Sequence, residues 1–263
     1  MDAPFPVIFG ICLDAEAGWS RLLADGNPRP ILKSQGAYAV REGLEPLLNL
    51  LDHYSVVSSF FIPGQTVDRY PDATRMIYQR GHEVAAHGYD HLALLKLTKE
   101  QERNELVRGI ESITSVVEHR PVTWRAPGWE LTDSTFDLLL DAKISISTNF
   151  QDCSHPYRHD RDGTPMPIVE LPVHWHLADA PYFLYGGGLG GTIDTLSAAY
   201  ENWSEEFIAL YDDRPGSFFH LTLHVQLIGH PGRLRMVERL IKLIKSKPRA
   251  TFMRCDELAT QVA

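Results

Sequence analysis

The segment Gly81-His-Glu-Val-Ala-Ala-His-Gly-Tyr-Asp-His91 decides how this chain reads. The apolar run Val84-Ala85-Ala86 ends in two histidines four residues apart, His87 and His91. A short apolar run of this kind predicts a strand buried on both faces, with its imidazoles delivered to the exit loop. Gly81, just past a predicted helix over 71–79, suits a C-terminal cap. Histidine is the commonest nitrogen ligand for zinc-like ions, so a close pair is part of a candidate metal site.

Working outward, the same grammar repeats. Val7 to Leu13 is a near-continuous apolar run and predicts another covered strand. Residues 19–40, rich in Gly and Pro, read as a loop. Arg41 to His53 has helical period, with Leu44, Leu47, Leu48 and Leu51 on one face. Val56 to Ile62 is a strand stopped by Pro63-Gly64. Thr98 to Glu118 is a long helix, with Thr98 and Gln101 as a capping box. Further strands are expected at Pro121–Trp124, Ile144–Ser147, Ile168–Pro172, Ser217–His224 and Ala250–Met253. Helices are expected at Thr132–Leu140, Thr192–Tyr211, Pro231–Ser246 and Cys255–Val262. The segment 150–167 reads as a loop.

Alternation of strand and helix implies parallel strands wrapped by helices, as an open doubly wound sheet or a barrel. No internal repeat or linker divides the 263 residues, so one catalytic domain over 1–263 is expected. The net charge is 25 − 34 = −9 with no basic block, which argues against nucleic-acid binding. No apolar run approaches membrane-spanning length, and residues 1–6 lack the pattern of an export signal; a cytoplasmic protein is expected. Cys12, Cys153 and Cys255 are few and widely spaced, as for reduced thiols.

In such folds chemistry gathers at the carboxyl ends of the strands. Asp14 and Glu16 follow the first strand, His87 and His91 the third, Arg125 the Val122 strand, and His224 ends the Ser217 strand. A catalytic zinc-type site takes three protein ligands and leaves a place for water. His87 and His91 supply two; Asp14 or Glu16 supplies the third, and the other carboxylate is the natural base. His224 is the natural acid, on a strand that alternates His220, Thr222 and His224 on one face. Arg125 can orient a carboxylate by ionic hydrogen bonds. The sum is a hydrolase of an amide-type carbon–nitrogen bond. His53, His82 and His119 read as structural, and His174 and His176 as pocket wall. Gly186-Gly-Gly-Leu-Gly-Gly191 satisfies G-x-G-x-x-G outside a βαβ unit and reads as a lid or turn.

These residues resemble the polysaccharide deacetylase family and its relatives acting on small cyclic amides, the imidases and allantoinases. The parts are Leu13-Asp-Ala-Glu-Ala-Gly-Trp19, Gly81-His-Glu-Val to His91, Arg125-Ala-Pro-Gly-Trp129, Glu170-Leu-Pro with Trp175, and Leu221-Thr-Leu-His224 with Gly229-His-Pro-Gly-Arg233. The resemblance spans about residues 7–260. It implies an α/β fold, a deformed (β/α) barrel of the polysaccharide deacetylase type, and a divalent metal with zinc as the default. It also implies deacetylation or ring-opening hydrolysis.

The family carries two strand-one aspartates, a base and then a ligand. The register fixed by Ala-Gly-Trp19 makes Asp14 the ligand and puts Cys12, not a carboxylate, at the base position. Glu16 or a Cys12 thiolate would then take the base role, and a small buried hydrophobe is the alternative for Cys12. The other register makes Asp14 the base and Glu16 the ligand. Trp19, Trp129 and Trp175 are expected to bind substrate as sugar platforms or pocket walls. The leading expectation is a small amide, cyclic imide or N-acyl substrate and, as in the intracellular branch, a homo-oligomer. The alternatives are a polysaccharide or peptidoglycan N-deacetylase, or a non-catalytic binding relative.

Overall fold

The computed structural model describes residues 3–20, 29–186 and 193–262. Among these residues nine strands form one sheet: β1 (Phe5–Cys12), β2 (Ser59–Ile62), β3 (Glu83–Ala86), β4 (Thr123–Trp124), β5 (Ile146–Ser147), β6 (Tyr157–Arg161), β7 (Thr164–Glu170), β8 (Phe219–His224) and β9 (Ala250–Phe252). The order is β6-β7-β5-β4-β3-β2-β1-β8, with β9 also on β1. Every pairing is parallel except β6 with β7. The residues of β2 and β3 are buried on both faces, which is why Phe60–Ile62 and Val84–Ala86 read as apolar runs. The sheet curls on itself. After β7 the chain crosses to the far edge, where Ala178 makes a parallel bridge to Thr222 of β8. The result is the deformed (β/α) barrel.

Register decides what the strand ends can do. Cys12 lies opposite His224 and Phe61, Ile62 opposite Ala86, and Ala86 opposite Trp124. The carboxyl ends of β1, β3, β4 and β8 therefore line up at one rim. The residues at or just beyond them are Cys12, Asp14, His87, Arg125 and His224.

The long helix Lys99–Val117 starts with the expected capping box. Thr98 Oγ1 accepts from Gln101 N at 3.3 Å, and Gln101 Oε1 accepts from Thr98 N at 2.8 Å. Gly109 of this helix packs on the backbone of Gly88, and a Cβ there would collide with the Gly88 carbonyl. Glu105, one turn earlier, accepts from the backbone N–H groups of Tyr89 at 3.1 Å and Asp90 at 2.9 Å. This helix thus fixes the loop that carries His87 and His91.

The structure departs from the sequence expectations in two places. Within residues 19–40, expected as loop, Pro30–Tyr38 is a helix and runs through a π turn (Ala39–Gly43) into Leu44–His53. Proline at the first helical position suits a helix start. Within 150–167, also expected as loop, β6 and β7 form a hairpin. Asp162 and Gly163 at its turn both have positive φ, 53° and 79°, as a tight hairpin turn requires. The glycine-rich motif from residue 187 onward lies outside the described residues. Among the described residues no helix is long and apolar enough to cross a membrane.

Candidate active site

Asp14 stands two residues past β1 and is buried. Its Oδ2 accepts from Gln226 Nε2 at 3.2 Å, while Oδ1 is buried without a hydrogen bond. Nε2 of His87 lies 3.7 Å from Oδ1, and Nε2 of His91 3.9 Å. Nδ1 of His87 lies 2.8 Å from the Arg125 carbonyl. A carbonyl only accepts, so Nδ1 carries the proton and Nε2 of the neutral ring presents its lone pair to the cavity, the tautomer a metal ligand needs. The positive φ of His91, 56°, turns its ring back beside His87, with ring centroids 4.8 Å apart.

His224 closes the other side. Its Nε2 is 3.9 Å from Asp14 Oδ2. Its Nδ1–H donates to Asp179 Oδ1 at 2.6 Å, and its backbone N–H donates to Asp179 Oδ2 at 2.7 Å. Asp179 is fully buried, one residue past the bridge at Ala178, so closing the seam also seats this carboxylate on His224.

Arg125 is fully buried across the floor. It donates Nε–H to Thr148 Oγ1 at 2.8 Å and Nη2–H to His220 Nε2 at 3.0 Å, and its guanidinium lies over the Phe61 ring. Its Nη1 is 3.7 Å from Cys12 Sγ. No carboxylate contacts it among the described residues, so the expectation that Arg125 orients a carboxylate gives way to an arginine facing a sulfur. Gly10 makes room for it: a Cβ there would stand 2.7 Å from Arg125 Nη2 and 2.8 Å from His220 Nε2.

The charges follow from these contacts. Burial pushes the Cys12 thiol up, but His224 and His87 outweigh it and bring its pKa down to about 6. Burial likewise opposes ionisation of Asp14, yet His91, His224 and His87 hold it below the usual carboxylate range. Burial disfavours the charged form of His224, but Asp179 and Cys12 raise its pKa well above the ordinary value. His220, buried against Arg125, is held well below its own.

Nine of the ten residues singled out in the sequence line one cavity of about 160 Å³: Cys12, Asp14, Trp19, His87, His91, Arg125, Trp129, Trp175 and His224. Trp19 and Trp129 are buried, Trp175 is half exposed, and the Trp129 and Trp175 rings meet at 4.3 Å. Glu16 is the exception. The 3₁₀ turn Ala15–Trp19 points its carboxylate away from the cavity, where Tyr70 donates to it at 2.8 Å and Arg69 approaches at 3.3 Å. Neither the base nor the ligand role fits it. His174 and His176 also lie off this cavity, against Cys153 and Glu206. The sequence reading missed Asp179 and Gln226. Spacing gives no sign of Asp179, whose partner is 45 residues away.

The donor set fits a divalent ion. A buried carboxylate oxygen without a hydrogen bond faces two imidazole nitrogens, one of them with its tautomer fixed by the backbone. Sγ of Cys12, a carboxylate oxygen of Asp14 and a nitrogen of His87 all lie within 4.8 Å of one another.

A barrel with this rim defines a class of hydrolases that cleave amide carbon–nitrogen bonds. The chain belongs to the polysaccharide deacetylase family. The family's sequence profile matches residues 35–146. A solved structure from Mycobacterium smegmatis, assigned as a polysaccharide deacetylase, is 32% identical. The match covers 99% of this chain and 91% of that one, with a TM-score of 0.89. A peptidoglycan deacetylase from Helicobacter pylori is 26% identical over 96% of this chain and 94% of its own. The crystal structure of PuuE allantoinase shares the fold, with a TM-score of 0.86 at 21% identity over 98% of this chain and 90% of that one.

Proposed function

We propose that this chain is a divalent-metal-dependent hydrolase of non-peptide amide bonds, acting on a small amide, cyclic imide or N-acyl substrate. One observation carries the reading: the unbonded Oδ1 of Asp14 faces His87 and His91, with the His224–Asp179 pair across the same cavity. Asp14, His87 and His91 would hold the ion, with zinc the default for this mixture of donors. Bound there, it would polarise the scissile carbonyl and lower the pKa of water to near neutrality.

The chain's own groups account for the rest. Asp179 fixes the ring of His224 so that Nε2 faces the reacting centre, and the raised pKa keeps a proton there for the departing nitrogen. Trp19 and Trp129 make an apolar wall that excludes water from the leaving group. The small volume between them supports a compact substrate over a long chain.

A second reading, a peptidoglycan N-deacetylase, is favoured by the Helicobacter pylori relative and by the exposed Trp175, which offers a sugar platform at the mouth. The test is turnover of a panel of cyclic imides, ureides, N-acetyl amino sugars and acetylated glycan by purified protein. It is run before and after dialysis against a strong chelator and after zinc is returned. The proposal expects loss and recovery of activity on the small amides. Full activity after chelation overturns it, and activity confined to glycan favours the second reading. The proposal includes a cytoplasmic, homo-oligomeric enzyme, to be checked by fractionation and light scattering.

A further inference from the structure

The residue at the base position of the family pattern is a cysteine, and its surroundings give that sulfur a different task. Cys12 is buried, and the β1–β8 register fixes it beside His224. Its Sγ belongs to the donor group with Asp14 and His87 described above. Arg125 adds an independent constraint. Its other side-chain partners, Thr148, His220 and the Phe61 ring, are uncharged groups. A buried guanidinium needs an anion, and the sulfur at 3.7 Å is the one its contacts offer. Asp14 Oδ1, buried and without a hydrogen bond, marks where a cation would sit.

We propose that Cys12 is itself a donor to the ion held by Asp14, His87 and His91, with its thiol proton released to solvent on binding. This rests on the metal-dependent reading above. The sulfur would make a fourth protein donor, and water or substrate would enter as a fifth ligand. A soft thiolate also favours zinc or cobalt over magnesium or manganese. Arg125 then balances the extra negative charge, which explains a buried arginine that meets no carboxylate among the described residues.

The experiment loads the full-length protein with cobalt(II) in place of the native ion. A near-ultraviolet thiolate-to-cobalt charge-transfer band is expected in the wild type. It should vanish in Cys12→Ser while the visible cobalt bands and the bound stoichiometry persist. A band that survives in Cys12→Ser belongs to another cysteine and overturns the proposal. Bound cobalt without the band in the wild type overturns it too, but leaves the metal-dependent reading standing. Failure to bind cobalt or zinc at all defeats both. Should Cys12→Ser fail to fold, zinc-edge X-ray absorption of the wild type decides. One sulfur neighbour at about 2.3 Å is expected, and a shell of nitrogen and oxygen alone overturns the proposal.

Discussion

Asp179 holds His224 twice, accepting from its ring at 2.6 Å and from its backbone at 2.7 Å. One fully buried carboxylate therefore sets both where the imidazole sits and which way it turns. Asp179→Asn should keep the shape while weakening control of the ring and its charge. We expect turnover to fall about a hundredfold or more, with a much smaller change in KM. In the double variant with His224→Ala, the two losses should not multiply, because the pair acts as a unit. Steady-state kinetics of the four proteins check this; multiplicative losses would count against it.

Asp14→Asn keeps the volume of the site but removes its negative charge. The variant should retain little or no zinc on gel filtration, whereas Glu16→Gln should retain as much as the wild type. Glu16→Gln should also leave turnover largely intact, because its carboxylate meets Tyr70 and Arg69 outside the cavity. Elemental analysis and activity together test this assignment, and an inactive, metal-free Glu16→Gln protein contradicts it.

Gly10→Ala places a methyl group 2.7 Å from Arg125 Nη2 and 2.8 Å from His220 Nε2. Neither side chain can retreat freely, since Arg125 is tied to Thr148, and His220 lies 3.2 Å from the Pro172 carbonyl. The overpacking should cost about 1–3 kcal/mol, read from the urea midpoint at unchanged m-value.

His82 gives the fold a pH dependence of its own. Both ring nitrogens are buried without a hydrogen bond, and the ring packs on Phe60. Burial pushes its pKa down from 6.5 to about 4. The unfolded chain then binds a proton below 6.5 that the folded chain takes up only near 4. Its stabilising contribution is complete above pH 6.5 and is lost as pH falls toward 4, by up to roughly 3 kcal/mol. Urea melts across that window should show a shallower decline in His82→Met than in the wild type.

The parts of the molecule that read clearly are those whose burial is local. Val84–Ala86 of β3 and Val7–Phe9 of β1 are covered on both faces, so these stretches are apolar without interruption. The capping box at Thr98 and Gln101 is equally local. The β6–β7 hairpin was harder because Tyr157–Arg161 is a largely exposed edge strand with little apolar signal. Only Asp162-Gly163, between two β-prone stretches, could have revealed it. Asp179 and the outward turn of Glu16 depend on tertiary geometry, namely the Ala178–Thr222 bridge and the positive φ of Ala15, 49°. Asp14, His87, His91, Arg125 and His224 could be gathered from their strand-end positions, whereas the group that orients His224 could not.

The bridge between Ala178 and Thr222 has a consequence for how activity arises. A backbone contact that draws the two sheet edges together also seats Asp179 on His224, the proton donor of the mechanism proposed above. A chain in which this seam is open lacks the Asp179 bonds that orient His224, however well its Asp14 and His87 are placed. On the mechanism proposed above, catalytic competence would report on the closing of this seam, and a partly opened molecule would be silent.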